Sequence, residues 1–146
     1  MPDIANNAST TSSITVGGSL SSQLEVVGDH DWVRIDLAAG QKITISLDGI
    51  TVVDPYVYMR DASGTLLAEN DDINPGLVRD SELVFTAPTA GTYYIDVAAW
   101  EPSPSDAEYP GFTGTYQLNV NAWAPPTVWT YAQIANQLTS GYWDGD

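Results

Sequence analysis

The segment Asp31-Trp-Val-Arg-Ile-Asp-Leu-Ala-Ala-Gly-Gln-Lys-Ile-Thr-Ile-Ser-Leu47 decides the fold. On either side of Ala39-Gly40 its side chains alternate. Val33, Ile35 and Leu37 oppose Trp32, Arg34 and Asp36, and Ile43, Ile45 and Leu47 oppose Lys42, Thr44 and Ser46. A period of two belongs to an extended strand with one face in a core and the other in water. The pattern recurs outward in both directions, in short segments punctuated by turn residues roughly every ten positions, as in a β-sandwich. Strands are expected at 14–16, 19–26, 31–37, 42–47, 55–61, 65–68, 82–87, 91–99 and 114–121. Ala39-Gly40, Asp48-Gly49, Ser63-Gly64 and Ala90-Gly91 each offer a glycine able to take positive φ, so antiparallel hairpins are expected at most of them. The fold class is all-β, an antiparallel β-sandwich.

A chain of 146 residues with 43% hydrophobic content can bury one real core. Its 19 acidic and 4 basic residues leave a net charge of −15, which repels nucleic acid and anionic membrane alike. Part of that excess needs no partner, because solvated carboxylates keep proteins soluble. With no cysteine there is no disulfide framework, thiolate metal site or cysteine nucleophile. The start, Met1-Pro-Asp-Ile-Ala-Asn-Asn, lacks the basic and apolar regions of a cleaved secretion signal, and no run reaches the length of a membrane-spanning helix.

Three regions follow from composition. Residues 1–12, small and polar, read as a tail with too little apolar surface to order itself; 13–122 are the sandwich; 123–146 are a linker and a short helix. Ala124-Pro125-Pro126 is stiff, Thr130 caps the helix that Tyr131 begins, and Gly141 ends it. Within the sandwich, Trp100 to Gly111 holds Pro102, Pro104 and Pro110 and must be a long loop. Its aromatic residues Trp100, Tyr109 and Phe112 either form a binding surface or fold back over a sheet edge.

The chemistry concentrates in carboxylates. Asn70, Asp71 and Asp72 end one strand, Asp80 and Glu82 lie across what reads as a hairpin, and Asp54 opens the preceding strand. Ca²⁺ takes six to eight oxygens, and strand-end loops with these side chains can supply most of them. The competing explanation is a solvated acidic turn held by Asx hydrogen bonds. Asp29-His30-Asp31 is a lesser candidate, for which a turn before Trp32 is the favoured explanation. No catalytic set is expected: Ser81 lacks a histidine partner, His30 is the chain's one histidine, and nothing places two carboxylates in a cleft. Tyr56, Tyr58, Tyr93, Tyr94 and Tyr116 fall on strands, as core or sheet-face residues.

Four stretches carry a family resemblance: Gly28-Asp-His-Asp-Trp-Val-Arg-Ile-Asp-Leu-Ala-Ala-Gly-Gln, Asp54-Pro-Tyr-Val-Tyr with Asp61-Ala-Ser-Gly-Thr-Leu-Leu-Ala-Glu-Asn-Asp-Asp, Asp80-Ser-Glu-Leu-Val-Phe-Thr-Ala-Pro-Thr-Ala-Gly-Thr-Tyr-Tyr-Ile, and Gly114-Thr-Tyr-Gln-Leu-Asn-Val. In this order, over residues 13–121, the chain resembles the bacterial pre-peptidase C-terminal (PPC) domain. That resemblance implies a jelly-roll-like sandwich outside the cell, accessory to secreted peptidases and sometimes to adhesins. It extends to the collagen-binding domains of clostridial collagenases, which hold calcium. Tyr131-Ala-Gln-Ile-Ala-Asn-Gln-Leu-Thr-Ser-Gly-Tyr-Trp resembles the opening helix of a serralysin-type (RTX) metalloprotease domain, although no His-Glu-x-x-His motif is present. A following protease domain in the same polypeptide and export by type I secretion are then implied. The resulting expectation is a non-catalytic, calcium-binding accessory domain of a secreted metalloprotease. An extracellular module binding a protein, peptide or glycan is the alternative.

Overall fold

The computed structural model describes residues 3–70, 81–99 and 113–124. They form eight strands: β1 (Ser19–Leu24), β2 (Asp31–Leu37), β3 (Lys42–Gly49), β4 (Pro55–Asp61), β5 (Leu66–Asn70), β6 (Ser81–Thr86), β7 (Gly91–Ala99) and β8 (Gly114–Ala122). The strands build two four-stranded sheets, β1-β8-β3-β6 and β2-β7-β4-β5, in which every neighbouring pair is antiparallel. The expected linker, the helix from Tyr131 and the loop from Trp100 lie outside the described residues.

Period-two alternation sorts the side chains as a sandwich requires. Val33 and Ile35 of β2, Ile43 and Ile45 of β3, Val57 and Met59 of β4, Ile95 and Val97 of β7 and Leu118 and Val120 of β8 are all buried in one core. Phe85 and Tyr93 meet edge-on across it, ring centres 5.4 Å apart, in the T-shaped arrangement that aromatic quadrupoles favour.

The hairpin expectation needs correction. Only Ser63-Gly64 closes one, joining β4 to β5, with the Asp61 carbonyl accepting from the Gly64 N–H at 3.0 Å. Ala39-Gly40, Asp48-Gly49 and Ala90-Gly91 instead carry the chain from one sheet to the other. At Gly40 the local turn is tied to the far sheet, its N–H donating to the Ala87 carbonyl at 2.8 Å. A turn residue specifies a reversal, and the buried faces of the strands on either side decide which sheet receives each one.

Residues 3–14 are not a free tail. The Trp32 N–H donates to the Ala5 carbonyl at 3.0 Å, the Arg34 N–H to Ser12 at 2.9 Å, and the Ile14 N–H to Arg34 at 2.9 Å. This segment occupies the outer edge of β2, with a parallel bridge between Ser13 and Arg34 in place of the expected strand at 14–16. Ile4 and Ile14 are buried with it. Main-chain hydrogen bonds and two apolar anchors do what the polar composition could not, and they close an edge that would otherwise be open to pairing.

Candidate metal centre

Asp31 opens β2 in register with Val33, Ile35 and Leu37, so alternation turns its carboxylate inward, and it is 0% exposed. One oxygen, Oδ2, accepts from the Tyr116 hydroxyl at 2.7 Å. The other, Oδ1, is buried without a hydrogen-bond partner among the described residues, as are both carboxyl oxygens of Glu25. Buried polar atoms almost always find partners, so the unpartnered Asp31 Oδ1 requires a cause, and the Glu25 carboxyl faces only the carboxyls of Asp29 and Asp3.

Asp3, Glu25, Asp29 and Asp31 each contribute one oxygen to a group in which all lie within 4.8 Å of one another. Asp3 comes from the N-terminal segment and Glu25 follows β1. Asp29 sits in the turn before β2, where its N–H donates to the Val26 carbonyl and its carboxylate accepts from the Glu25 N–H at 3.0 Å. Ca²⁺–oxygen distances of about 2.3–2.6 Å put two ligands on opposite sides of one ion about 5 Å apart, so this spacing fits a common calcium shell. All the donors are carboxylate oxygens, which suit a hard cation.

Without a cation, the same crowding is costly. Two like charges about 4 Å apart repel by about 4 kcal/mol at an effective dielectric near 20. Burial first, then the carboxylates of Asp29, Glu25 and Asp3, push the Asp31 pKa up to about 8, although the Tyr116 hydrogen bond opposes the rise. Burial, with the carboxyls of Asp29 and Asp3, raises Glu25 to about 7. The site therefore holds protons when it holds no metal.

Next to the cluster, His30 turns to the outer face of the second sheet. Its Nδ1 lies 2.8 Å from Asp96 Oδ1, while the Arg60 Nε donates to Asp96 Oδ2 at 2.9 Å. Asp96 is 0% exposed and is held by the His30 imidazole and the Arg60 guanidinium on a sheet face. The Arg60 guanidinium lies 5.3 Å from the Trp32 ring centre and 5.6 Å from that of Tyr58, and Tyr56 stacks on Tyr58 at 4.7 Å. Asp96 thus engages His30 through Nδ1.

Of the candidates read from the sequence, Asp71, Asp72, Asp80, Trp100, Tyr109 and Phe112 lie outside the described residues. Asp54 is buried at the start of β4, at the end where β5 finishes, because Val57 pairs with Asn70. The Asn70 side-chain amide donates to the Glu82 main-chain carbonyl at 2.5 Å. Glu82 does not lie across a hairpin from Asn70, as β5 and β6 belong to different sheets, and its own side chain is exposed. Asp29 and Asp31 belong to the lesser candidate Asp29-His30-Asp31, whereas Asp3 and Glu25 were missed because the four carboxylates are spread from position 3 to position 31. The available signal was parity: Asp31 falls on the inward face of its strand.

The described residues form a two-sheet antiparallel sandwich with a group of four carboxylates at one end. Residues 29–99 match the bacterial pre-peptidase C-terminal domain. A probable subtilase-type serine protease of Deinococcus radiodurans is 35% identical over 75 residues, 49% of this chain and 10% of that protein. The chain thus spans about a tenth of that relative's length. The pre-peptidase C-terminal domain of a Bacillus anthracis collagenase shares the fold with a TM-score of 0.57 at 18% identity, covering 75% of this chain and 93% of that one. CorA, a surface-associated copper-binding protein of Methylomicrobium album BG8, gives 0.57 at 12% identity, covering 77% and 98%.

Proposed function

We propose that the chain is a non-catalytic, calcium-binding accessory domain of a secreted protease, and that Asp3, Glu25, Asp29 and Asp31 hold the ion. The observation that carries this reading is the cluster itself, four carboxylate oxygens within 4.8 Å of one another, one of them from the buried Asp31, whose Oδ1 has no hydrogen-bond partner among the described residues. Calcium supplies charge neutralisation and a cross-link. Asp3 then fastens the N-terminal segment, Glu25 and Asp29 fasten the turn after β1, and Asp31 fastens the second sheet. A domain without cysteine gains rigidity in this way, where a disulfide would otherwise serve.

We place the ion here rather than at the corner of Asp54, Asn70 and Glu82, because only this cluster brings several carboxylates within ligand distance among the described residues. An oxygen-only set also argues for calcium over copper, which imidazole and sulfur ligands favour. Protease relatives of two kinds, a subtilase and a collagenase, support the accessory role without fixing the class of the parent enzyme. A following serralysin-type domain and type I export are proposed from residues 131–143 alone. Calorimetric titration of the full chain with calcium tests the reading: heat of binding lost in Asp31→Asn is expected, and no heat in the unmodified protein would refute it.

A second role, holding an extracellular protein, peptide or glycan, is favoured by the row of Tyr56, Tyr58, Arg60 and Trp32 on the second sheet. Stacked half-buried aromatics with a guanidinium offer rigid contact area at low entropic cost. Capture of an extracellular ligand should then fall in Tyr56→Ala and be unaffected by Val84→Thr on the opposite sheet.

A further inference from the structure

We infer that Tyr116 is a positioning residue of the cation site: its hydroxyl holds one oxygen of Asp31 so that the other is presented to the ion, linking occupancy of the site to the opposite sheet. This rests on reading the cluster as a calcium site. Tyr116 belongs to β8, in the sheet opposite β2, and reaches Asp31 through the core with its ring 1% exposed. Its O–H donates to Asp31 Oδ2 at 2.7 Å, a charge-assisted distance. On its other side it is hydrogen-bonded by the Ser22 hydroxyl of β1, itself 7% exposed.

A carboxylate at the start of a strand can rotate about its terminal bond, and rotation would carry both oxygens away from Asp3, Glu25 and Asp29. Two walls restrain Asp31. Its main chain pairs with Val97 of β7, and the phenol fixes the plane of its carboxyl group from the opposite side. The bonded oxygen is engaged by Tyr116, whereas Oδ1, buried and without a partner among the described residues, is left available to an ion. Packing alone does not require this hydroxyl. Leu118 and Val120, on the same face of β8, fill the core with no polar atom, and Phe85 fills it with an aromatic ring. Groups that orient a metal ligand typically change affinity by about 10- to 100-fold when removed.

Tyr116→Phe, which keeps the ring and removes the hydroxyl, is the test in the full chain, with calcium affinity measured by calorimetry and melting measured in chelator and in calcium. About tenfold weaker calcium binding and a smaller calcium-induced rise in melting temperature are expected. A purely structural hydroxyl would lower both melting temperatures together and leave the affinity unchanged, which would overturn the proposal. If Tyr116→Phe does not fold, as judged by circular dichroism, Ser22→Ala replaces it: weaker binding is expected, and unmodified affinity overturns the proposal. Asp31→Asn separates the two levels. Loss of binding in Asp31→Asn with unchanged affinity in Tyr116→Phe removes only the positioning role, whereas absence of binding in the unmodified chain removes the site and this inference together.

Discussion

Metal-free protein should lose stability as pH rises from 5 to 8, calcium should restore it, and Asp31→Asn should weaken the pH response, leaving the share that Glu25 contributes, and abolish the calcium response. The sign follows from the direction of the shift. Asp31 is a carboxylate whose folded pKa is raised from 3.8 to about 8. The folded state therefore binds a proton that the unfolded state has released, so stability is full below the unfolded value and declines until pH passes the folded one. Between pH 5 and pH 8 that decline is roughly 2–4 kcal/mol, the larger figure taking the full three-unit pH interval at about 1.4 kcal/mol per pH unit. For a domain of this size one kcal/mol moves the melting temperature by about 4 °C or more, so the metal-free protein should melt on the order of 10 °C lower at pH 8. Calcium at a hundred times its dissociation constant adds about 2.7 kcal/mol, a shift of similar size in the opposite direction. Asn at position 31 keeps the shape and still accepts from Tyr116, but it carries no charge to repel Glu25 or to attract an ion. Its melting curve in chelator should lie above that of the unmodified protein at pH 8, and calcium should leave it in place. Differential scanning calorimetry at the two pH values, with chelator and with millimolar calcium, makes the comparison. A metal-free melting temperature that does not fall between pH 5 and pH 8 would refute the reasoning, and so would an Asp31→Asn variant that still responds to calcium.

Three further outcomes are expected. Ile45→Ala, at a 0% exposed position of β3, should cost about 2–5 kcal/mol in a urea titration. Gly64→Ala should cost about 1–3 kcal/mol, read in the same way, because φ is +89° and a new Cβ would lie 3.3 Å from the Trp32 ring. Deleting residues 1–13 should remove the Asp3 ligand and expose the β2 edge, giving weaker calcium binding by calorimetry and larger particles by light scattering.

Alternation made the strands legible: the expected 31–37, 55–61 and 91–99 coincide with β2, β4 and β7, five others differ by one or a few residues at their ends, and only 14–16 is not a strand. It could not assign strands to sheets, since burial of one face reports that a core exists and leaves open which neighbour forms it. Hence Ala39-Gly40 reads as a hairpin and proves to be a crossing. The N-terminal segment was illegible for a different reason. It is held by main-chain bonds to Trp32 and Arg34, and main-chain donors leave no signature in composition. The Gly64–Phe85 region attracted attention because its carboxylates are adjacent in sequence. The Asp31 cluster escaped because it is assembled from three separate parts of the chain and depends on a tyrosine 85 positions away. Strand parity was the clue, because a carboxylate on the same face as Val33, Ile35 and Leu37 must find a partner inside.

All but one of the strand connections leave one sheet for the other, and this fixes when the fold can form. β8 lies between β1 and β3, so Leu20 pairs with Leu118 and Leu47 pairs with the same residue from the other side. The first sheet has no centre until its last strand has emerged. Such high contact order means slow, late collapse, since long loops must close before any pairing can reward them. The sheet β1-β8-β3-β6 can complete its pairing only once β8 has been made.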